Sequence, residues 1–292
     1  MKYSADLIRG SDHTTQLTVH MWQPSSPNVS SDQTATLWCA HGLTRSGLDF
    51  ELLAQQIVDR LSIRVIAPDT VGRGSSQWLS DKSLYHLDRY AADTQALWKA
   101  LDLKSCSWLG TSMGGLLALR LLSQGVTAIE KLLLNDVGTQ IEPAGLSRIG
   151  TYLGRKFDFP DWESAEAHHR QIMSPFGNLT DPEWHRLAQA VLRPSPGGTG
   201  WSYAYDPDIV KGQAPWPLAD DLWRAWDGLN CPTLVLRGSQ SDILSQVTLG
   251  QMLQRNPKAR GLEVPNVGHA PTFTNCEQAN LVAEWFSSSL QA

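Results

Sequence analysis

Gly110-Thr111-Ser112-Met113-Gly114 stands between Ser105-Cys106-Ser107-Trp108-Leu109, which reads as a strand, and Gly115-Leu116-Leu117-Ala118-Leu119-Arg120-Leu121-Leu122, which reads as a helix. A Gly-x-Ser-x-Gly pentapeptide on a sharp strand-to-helix turn lifts its serine hydroxyl clear of the backbone at the mouth of a sheet. Such a turn is crowded. Side chains at Gly110 and Gly114 would collide with neighbouring backbone, and glycine tolerates the dihedrals the turn demands. The start of the following helix adds free N–H groups and a partial positive charge beside Ser112. These features predict a nucleophile elbow.

Outward from the elbow, strands and helices alternate. Thr14 to Trp22 alternates apolar and polar residues as a half-exposed strand does. Pro24 to Asp32 reads as a turn. Ala35 to Ala40 is a buried strand, Phe50 to Leu61 a helical face, and Ile63 to Ala67 a strand stopped by Pro68. Asp88 to Leu101 is helical, and Ile129 to Asn135 is the strand after the elbow helix. The rhythm breaks after Asp136 and resumes late in the chain. Thr233 to Arg237 and Gly261 to Val264 are strands there, and Gln246 to Leu253 and Gln278 to Leu290 are helices. This order predicts an α/β chain with a mostly parallel central sheet and helices on both faces. The core comprises residues 1–137 and 227–292, and 138–226 forms a mostly helical cap with no clear strand. Six tryptophans (Trp162, Trp184, Trp201, Trp216, Trp223 and Trp226) fall in that stretch, with Phe157, Phe159, Phe176, Tyr203 and Tyr205. Most are expected to pack the insertion onto the sheet, and two or three to reach the pocket.

Length and charge exclude several classes. A chain of 292 residues buries a sizeable core. Twenty-four Lys+Arg against 29 Asp+Glu leave a net charge of −5, so nothing electrostatic favours nucleic acid or an anionic membrane as partner. No apolar run approaches the roughly 20 residues of a membrane helix. Met1-Lys2-Tyr3-Ser4-Ala5-Asp6 lacks the apolar stretch of a signal peptide, so a cytoplasmic location is expected. Cys39, Cys106, Cys231 and Cys276 match no zinc or Cys-x-x-Cys spacing and read as reduced thiols. Asp69 to Ser76 lacks the Gly-Lys-Ser/Thr ending of a phosphate loop. No His/Asp/Glu group has metal-ligand spacing, so neither metal nor cofactor is expected.

A serine hydroxyl at neutral pH needs a general base, and the base needs an orienting carboxylate. His269 follows the last strand in Val264-Pro265-Asn266-Val267-Gly268-His269, where Gly268 lets the loop bend toward Ser112. Asp242 lies just beyond the preceding strand, in Arg237-Gly238-Ser239-Gln240-Ser241-Asp242, and is the expected acid. Asp136, which ends the strand after the elbow helix, is the alternative acid; a loop-capping carboxylate is the reading favoured for it. The order Ser112…Asp242…His269 is that of α/β-hydrolases. Acyl transfer also needs two N–H donors on the oxyanion. Met113, after the nucleophile, and Leu43, in His41-Gly42-Leu43-Thr44-Arg45, are placed to supply them. His41 reads as a structural loop residue. Arg45 is a possible contact to a substrate carboxylate, with a solvated or cap-facing arginine as the preferred alternative.

With those motifs in place the chain resembles α/β-hydrolase-fold serine hydrolases of the bacterial esterase and lipase-like group. Pro68-Asp69-Thr70-Val71-Gly72-Arg73-Gly74-Ser75, Leu134-Asn135-Asp136-Val137-Gly138 and Val267-Gly268-His269-Ala270-Pro271 extend the likeness. Together the motifs cover about residues 15–137 and 230–290. The chain departs from the usual Pro or Gly after the first glycine of the early loop, where it has Leu43-Thr44. The resemblance implies hydrolysis of carboxylic esters of small to medium acyl chains through an acyl-enzyme on Ser112. A carbon–carbon bond hydrolase, thioesterase or lactonase with the same triad is the alternative within that fold. A non-catalytic ligand receptor is the alternative outside enzymes. A serine nucleophile argues against haloalkane dehalogenases and epoxide hydrolases, which use aspartate. Acyl length and oligomeric state are not encoded in these motifs.

Overall fold

The computed structural model describes residues 1–25, 34–212 and 219–288. The turn expected at Pro24–Asp32 lies, from residue 26 on, outside them, as do Trp216 and the end of the last predicted helix. The first half of the chain runs β1 (Lys2–Arg9), β2 (Gln16–Gln23), β3 (Thr36–Ala40), α1 (Glu51–Leu61), β4 (Arg64–Pro68), α2 (Leu87–Ala100), β5 (Cys106–Thr111), α3 (Met113–Ser123) and β6 (Ile129–Asn135). An inserted stretch follows: α4 (Pro143–Gly150), β7 (Asp158–Phe159), α5 (Trp162–Ile172), α6 (Asp181–Gln189), β8 (Leu192–Pro194) and β9 (Trp201–Tyr203). The chain closes with α7 (Ala219–Asp227), β10 (Thr233–Gly238), α8 (Gln246–Arg255), β11 (Ala259–Val264) and α9 (Cys276–Ser287).

Among the described residues the main sheet has eight strands in the order β1-β2-β4-β3-β5-β6-β10-β11. β1 and β2 are antiparallel to each other, and β2 is antiparallel to β4; the remaining pairs are parallel. The expected fold is borne out. Period-two side-chain alternation sorts each strand between two apolar layers. Leu37, Cys39, Leu109, Leu133 and Leu236 face α1 and α9. Trp38, Trp108, Leu132, Leu134 and Val235 face the other layer, with α2, α3 and α7. The runs are apolar throughout because both faces are covered. Trp38, Trp98 and Trp108 form a buried indole cluster under the elbow, with ring centroids 5.8–6.1 Å apart. The Trp108 Nε1–H donates to the Gly114 carbonyl at 3.0 Å.

Three features differ from expectation. β1 has no sequence signal: it is an exposed edge strand without alternation. The inserted stretch holds a three-stranded sheet, β7-β9-β8, whose strands of two or three residues are too short to show a period. The expected boundary at 226–227 falls inside α7, which packs against α3. The Trp226 Nε1–H is bonded to the Met252 carbonyl of α8 at 2.9 Å, so α7 sits with the main sheet's helices. No helix among the described residues is long and apolar enough to cross a membrane. Cys39 and Cys106 are buried free thiols.

Candidate active site

The elbow forms because β5 ends at Thr111 and α3 begins at Met113, leaving a single residue to reverse the chain. Ser112 makes that turn with φ 52° and ψ −114°, a conformation L-residues adopt only where their surroundings impose it. A Cβ on Gly110 would lie 2.4 Å from the Gly114 carbonyl oxygen, and one on Gly114 would lie 2.0 Å from that of Ala40. The hydroxyl so presented donates to His269 Nε2 at 2.9 Å. The opposite ring nitrogen, Nδ1, carries its proton to Asp136 Oδ2 at 2.7 Å.

Asp136, and not Asp242, therefore holds the imidazole. It is the first residue beyond β6 and has φ +54°, a left-handed turn that aspartate tolerates better than most residues. Its carboxylate is fully buried. It accepts from the Gly238 N–H at 2.8 Å and the Ser241 hydroxyl at 2.6 Å as well as from His269. Asp242 is pulled the other way. Its two oxygens take a bidentate bond from Arg148 of α4, Nε at 2.6 Å and Nη2 at 2.8 Å. Burial pushes the Asp242 carboxyl up, but the bond and charge of Arg148 and the charge of His269 outweigh it and hold the group below the usual carboxylate range. The structure thus brings Asp136, the alternative acid, against His269, and turns Asp242, the expected one, to Arg148.

Leu43 lies in the loop after β3 and lines one cleft with Ser112, and Met113 follows Ser112 in the chain. Met113 opens α3, so its N–H has no partner within the helix. The Leu43 N–H has no acceptor among the described residues. The Leu43 loop is braced from below. His41, fully buried, donates from Nδ1 to the Gly42 carbonyl at 2.7 Å and accepts the Thr70 N–H on Nε2 at 2.9 Å. Arg73 is fully buried and pairs with no carboxylate among the described residues. It donates from Nε to the Leu43 carbonyl at 2.9 Å, and from Nη1 to Val71 and to the Tyr90 hydroxyl, both at 2.8 Å. Asn135 donates to Thr111 Oγ1 at 3.0 Å and to the Pro271 carbonyl at 2.8 Å, tying the loop after His269 to the strand before Ser112. Arg73, Asn135 and Ser241 were not singled out by sequence reasoning, although each lies inside a motif quoted for its neighbours.

Arg45 faces the insertion. Asp49 holds it through Nε at 2.8 Å and Nη2 at 2.6 Å. Its Nη2 also donates to the Leu187 carbonyl at 2.9 Å, and its Nη1 to His169 Nε2 at 3.0 Å. His169 accepts because it is neutral: burial, then the charge of Arg45, drives its pKa well below the ordinary imidazole value. Arg45 joins the β3 loop to α5 and α6 at the edge of a cleft of about 60 Å³. Ser112 and His269 line this cleft together with Arg148, Tyr152, Met173 and Phe176. Of the aromatic residues expected to supply two or three pocket contacts, Phe176 alone among the described ones does so. Trp184 and Trp226 are buried in packing.

An elbow serine bonded to a histidine, itself bonded to a buried aspartate at the C-terminal ends of a parallel sheet, defines the class of α/β-fold hydrolases. The chain belongs to the alpha/beta hydrolase family, which matches it over residues 39–285. It is 37% identical over 283 residues to the 3-hydroxybutyrate-oligomer hydrolase of Cupriavidus necator, an alignment covering 94% of each chain. It is 26% identical over 240 residues to the sn-1-specific diacylglycerol lipase of Mus musculus, covering 78% of this chain and 73% of that one. Among solved structures, an alpha/beta hydrolase from Novosphingobium aromaticivorans superposes with a TM-score of 0.85 at 30% identity, covering 98% of both chains. Family and relatives together support hydrolase activity.

Proposed function

We propose that the protein is a serine hydrolase that cleaves carboxylic esters, with linear oligoesters of a short 3-hydroxy acid as its substrate class. The observation that carries this reading is the continuous Ser112–His269–Asp136 hydrogen-bond chain at the elbow. Ser112 Oγ attacks the ester carbonyl as His269 Nε2 takes its proton. Asp136 steadies the imidazolium. The Leu43 and Met113 N–H groups hold the oxyanion. His269 returns the proton to the leaving alcohol, and water, activated by the same nitrogen, then releases the acid from Ser112. No metal or cofactor takes part in these steps.

The oligoester reading rests on the 37% identical relative and on the cleft. A cleft of about 60 Å³ suits a short acyl unit, and its wall mixes apolar groups with the guanidinium of Arg148, which suits an ester chain that ends in a carboxylate. Residues of α4 and α6 close the cleft from above, and we assign the inserted stretch the role of a cap that selects substrate.

The test is intact-mass spectrometry and peptide mapping after treatment with a fluorophosphonate, with turnover of linear 3-hydroxybutyrate trimer and p-nitrophenyl acetate alongside. The expected result is one adduct on Ser112 and hydrolysis of both substrates. Ser112→Ala should lower kcat by about 10⁶. An adduct with acetate turnover but no trimer cleavage sinks the oligoester reading. An adduct without ester turnover moves the reading to carbon–carbon or thioester chemistry, and no adduct moves it to a silent receptor.

A further inference from the structure

Three aromatic residues of the insertion that miss the catalytic cleft, Phe157, Tyr203 and Tyr205, line a different cavity. It encloses about 590 Å³ between β8, β9 and the loops after β4 and α4, and shares no lining residue with the cleft. That volume lies within the range of small-molecule sites. Its walls include the rings of Trp78, Phe157, Tyr203 and Tyr205 beside charged side chains.

Two further observations point to an anionic occupant. Eleven buried side-chain polar atoms among the described residues have no hydrogen-bond partner, and four of them belong to this one wall: Arg193 Nε, Tyr205 Oη, Trp78 Nε1 and Ser195 Oγ. All four can donate. Buried polar groups are nearly always satisfied, so four idle donors in one wall mark it as incomplete, although as the side chains stand these four atoms are shielded from the open space. Charge agrees. Each acid of the wall already has a cation: Asp158 has Lys156 at 3.1 Å, Asp206 has Lys82 at 2.5 Å, and Asp208 has Lys211 at 2.9 Å. Arg193 and Arg155 pair with no carboxylate among the described residues. The Arg193 guanidinium is stacked 4.7 Å from the Trp78 ring centroid, so it is oriented without being neutralised.

We infer that this cavity is a second binding site, for an organic carboxylate with an apolar body, the head group held by Arg193 and Arg155 and the body lying on Phe157, Tyr203 and Tyr205. A planar guanidinium grips a carboxylate through paired N–H bonds. The site is separate from catalysis and stands whether or not Ser112 acts on esters. Two sources carry this chemistry: the acid end of an oligoester, and a free fatty acid.

The experiment is isothermal titration calorimetry on the full chain carrying Ser112→Ala, so that nothing is hydrolysed. Linear 3-hydroxybutyrate tetramer, its methyl ester and octanoate are titrated separately. Either acid binding, with the methyl ester at least tenfold weaker than the free tetramer where the tetramer binds, is the expected result. Which acid loses binding in Arg193→Ala and Arg155→Ala names the source. Arg193→Ala and Arg155→Ala should each weaken that binding at least tenfold. Arg155 is exposed, so its variant keeps the site testable should Arg193→Ala fail to fold, as judged by near-ultraviolet circular dichroism. The inference is overturned if neither acid binds, if the methyl ester binds as well as the acid, or if the folded arginine variants bind unchanged.

Discussion

Asp136 reaches His269 because its backbone leaves the strand at once, in a left-handed turn, whereas Asp242 lies four residues beyond β10 and follows its loop outward to Arg148. The two aspartates follow neighbouring parallel strands, β6 and β10. Asp136→Asn keeps the shape but offers His269 an amide, which favours the wrong tautomer, and should lower kcat on p-nitrophenyl acetate by about 10⁴. Asp242→Asn should lower it by less than about tenfold, since it weakens a partner of Arg148 that does not touch His269. Steady-state kinetics on both variants checks this, and the reverse ranking would restore Asp242. Ser112 and His269 were legible because local pattern fixes them: an elbow in one case, a glycine-led loop after the last strand in the other. The acid was not, because both candidates have the right residue type at the right end of a strand. The choice depends on a competitor for Asp242, and that competitor, Arg148, comes from a helix of the insertion.

At the scale of elements, the core strands and helices other than β1 and α7 were readable to within a few residues because long apolar runs and helical faces carry their own period. The insertion was not readable in that way. Its strands are too short, and its aromatic residues serve a second cavity as well as packing. α4 is the element whose placement matters most to the cleft. It presents Arg148 to the cleft, with Asp242 as a clamp, and burial works against the raised pKa that this carboxylate gives the guanidinium. Under the oligoester reading, Arg148→Gln removes a charged donor to the chain end. Such bonds are worth about 1.5–3 kcal/mol. The variant should raise KM for linear 3-hydroxybutyrate trimer about tenfold or more, and the penalty should vanish for the trimer's methyl ester. Equal penalties for acid and ester would deny Arg148 that role.

For the molecule as a whole, two histidines are folded in their neutral form. Burial lowers the pKa of His41, and burial with the Arg45 charge lowers that of His169 further. Both groups bind protons more readily unfolded, at about 6.5. Their contribution to stability is therefore complete above that pH and is lost as pH falls toward the folded values, at up to about 1.4 kcal/mol per pH unit for each. The melting temperature should drop between pH 7 and pH 5, and His169→Asn, which can still accept from Arg45, should flatten the slope. Scanning calorimetry across that range checks this, and an unchanged slope would exclude His169 as a source. Because His169 and Arg45 join the loop after β3 to the insertion, acid should loosen the insertion before it melts the sheet.

The indole cluster beneath the elbow has an optical consequence. Trp38, Trp98 and Trp108 hold their rings at angles of 26°, 83° and 81° to one another, close enough for their transition dipoles to couple. Coupled chromophores in a fixed chiral array contribute a circular dichroism band that isolated ones do not. One of the three is anchored to the Gly114 carbonyl, inside the turn that presents Ser112. The protein thus carries its own spectroscopic gauge, set a few ångströms from the elbow backbone, and a shift in that turn alters the colour of its ultraviolet ellipticity with no substrate, label or bound probe present.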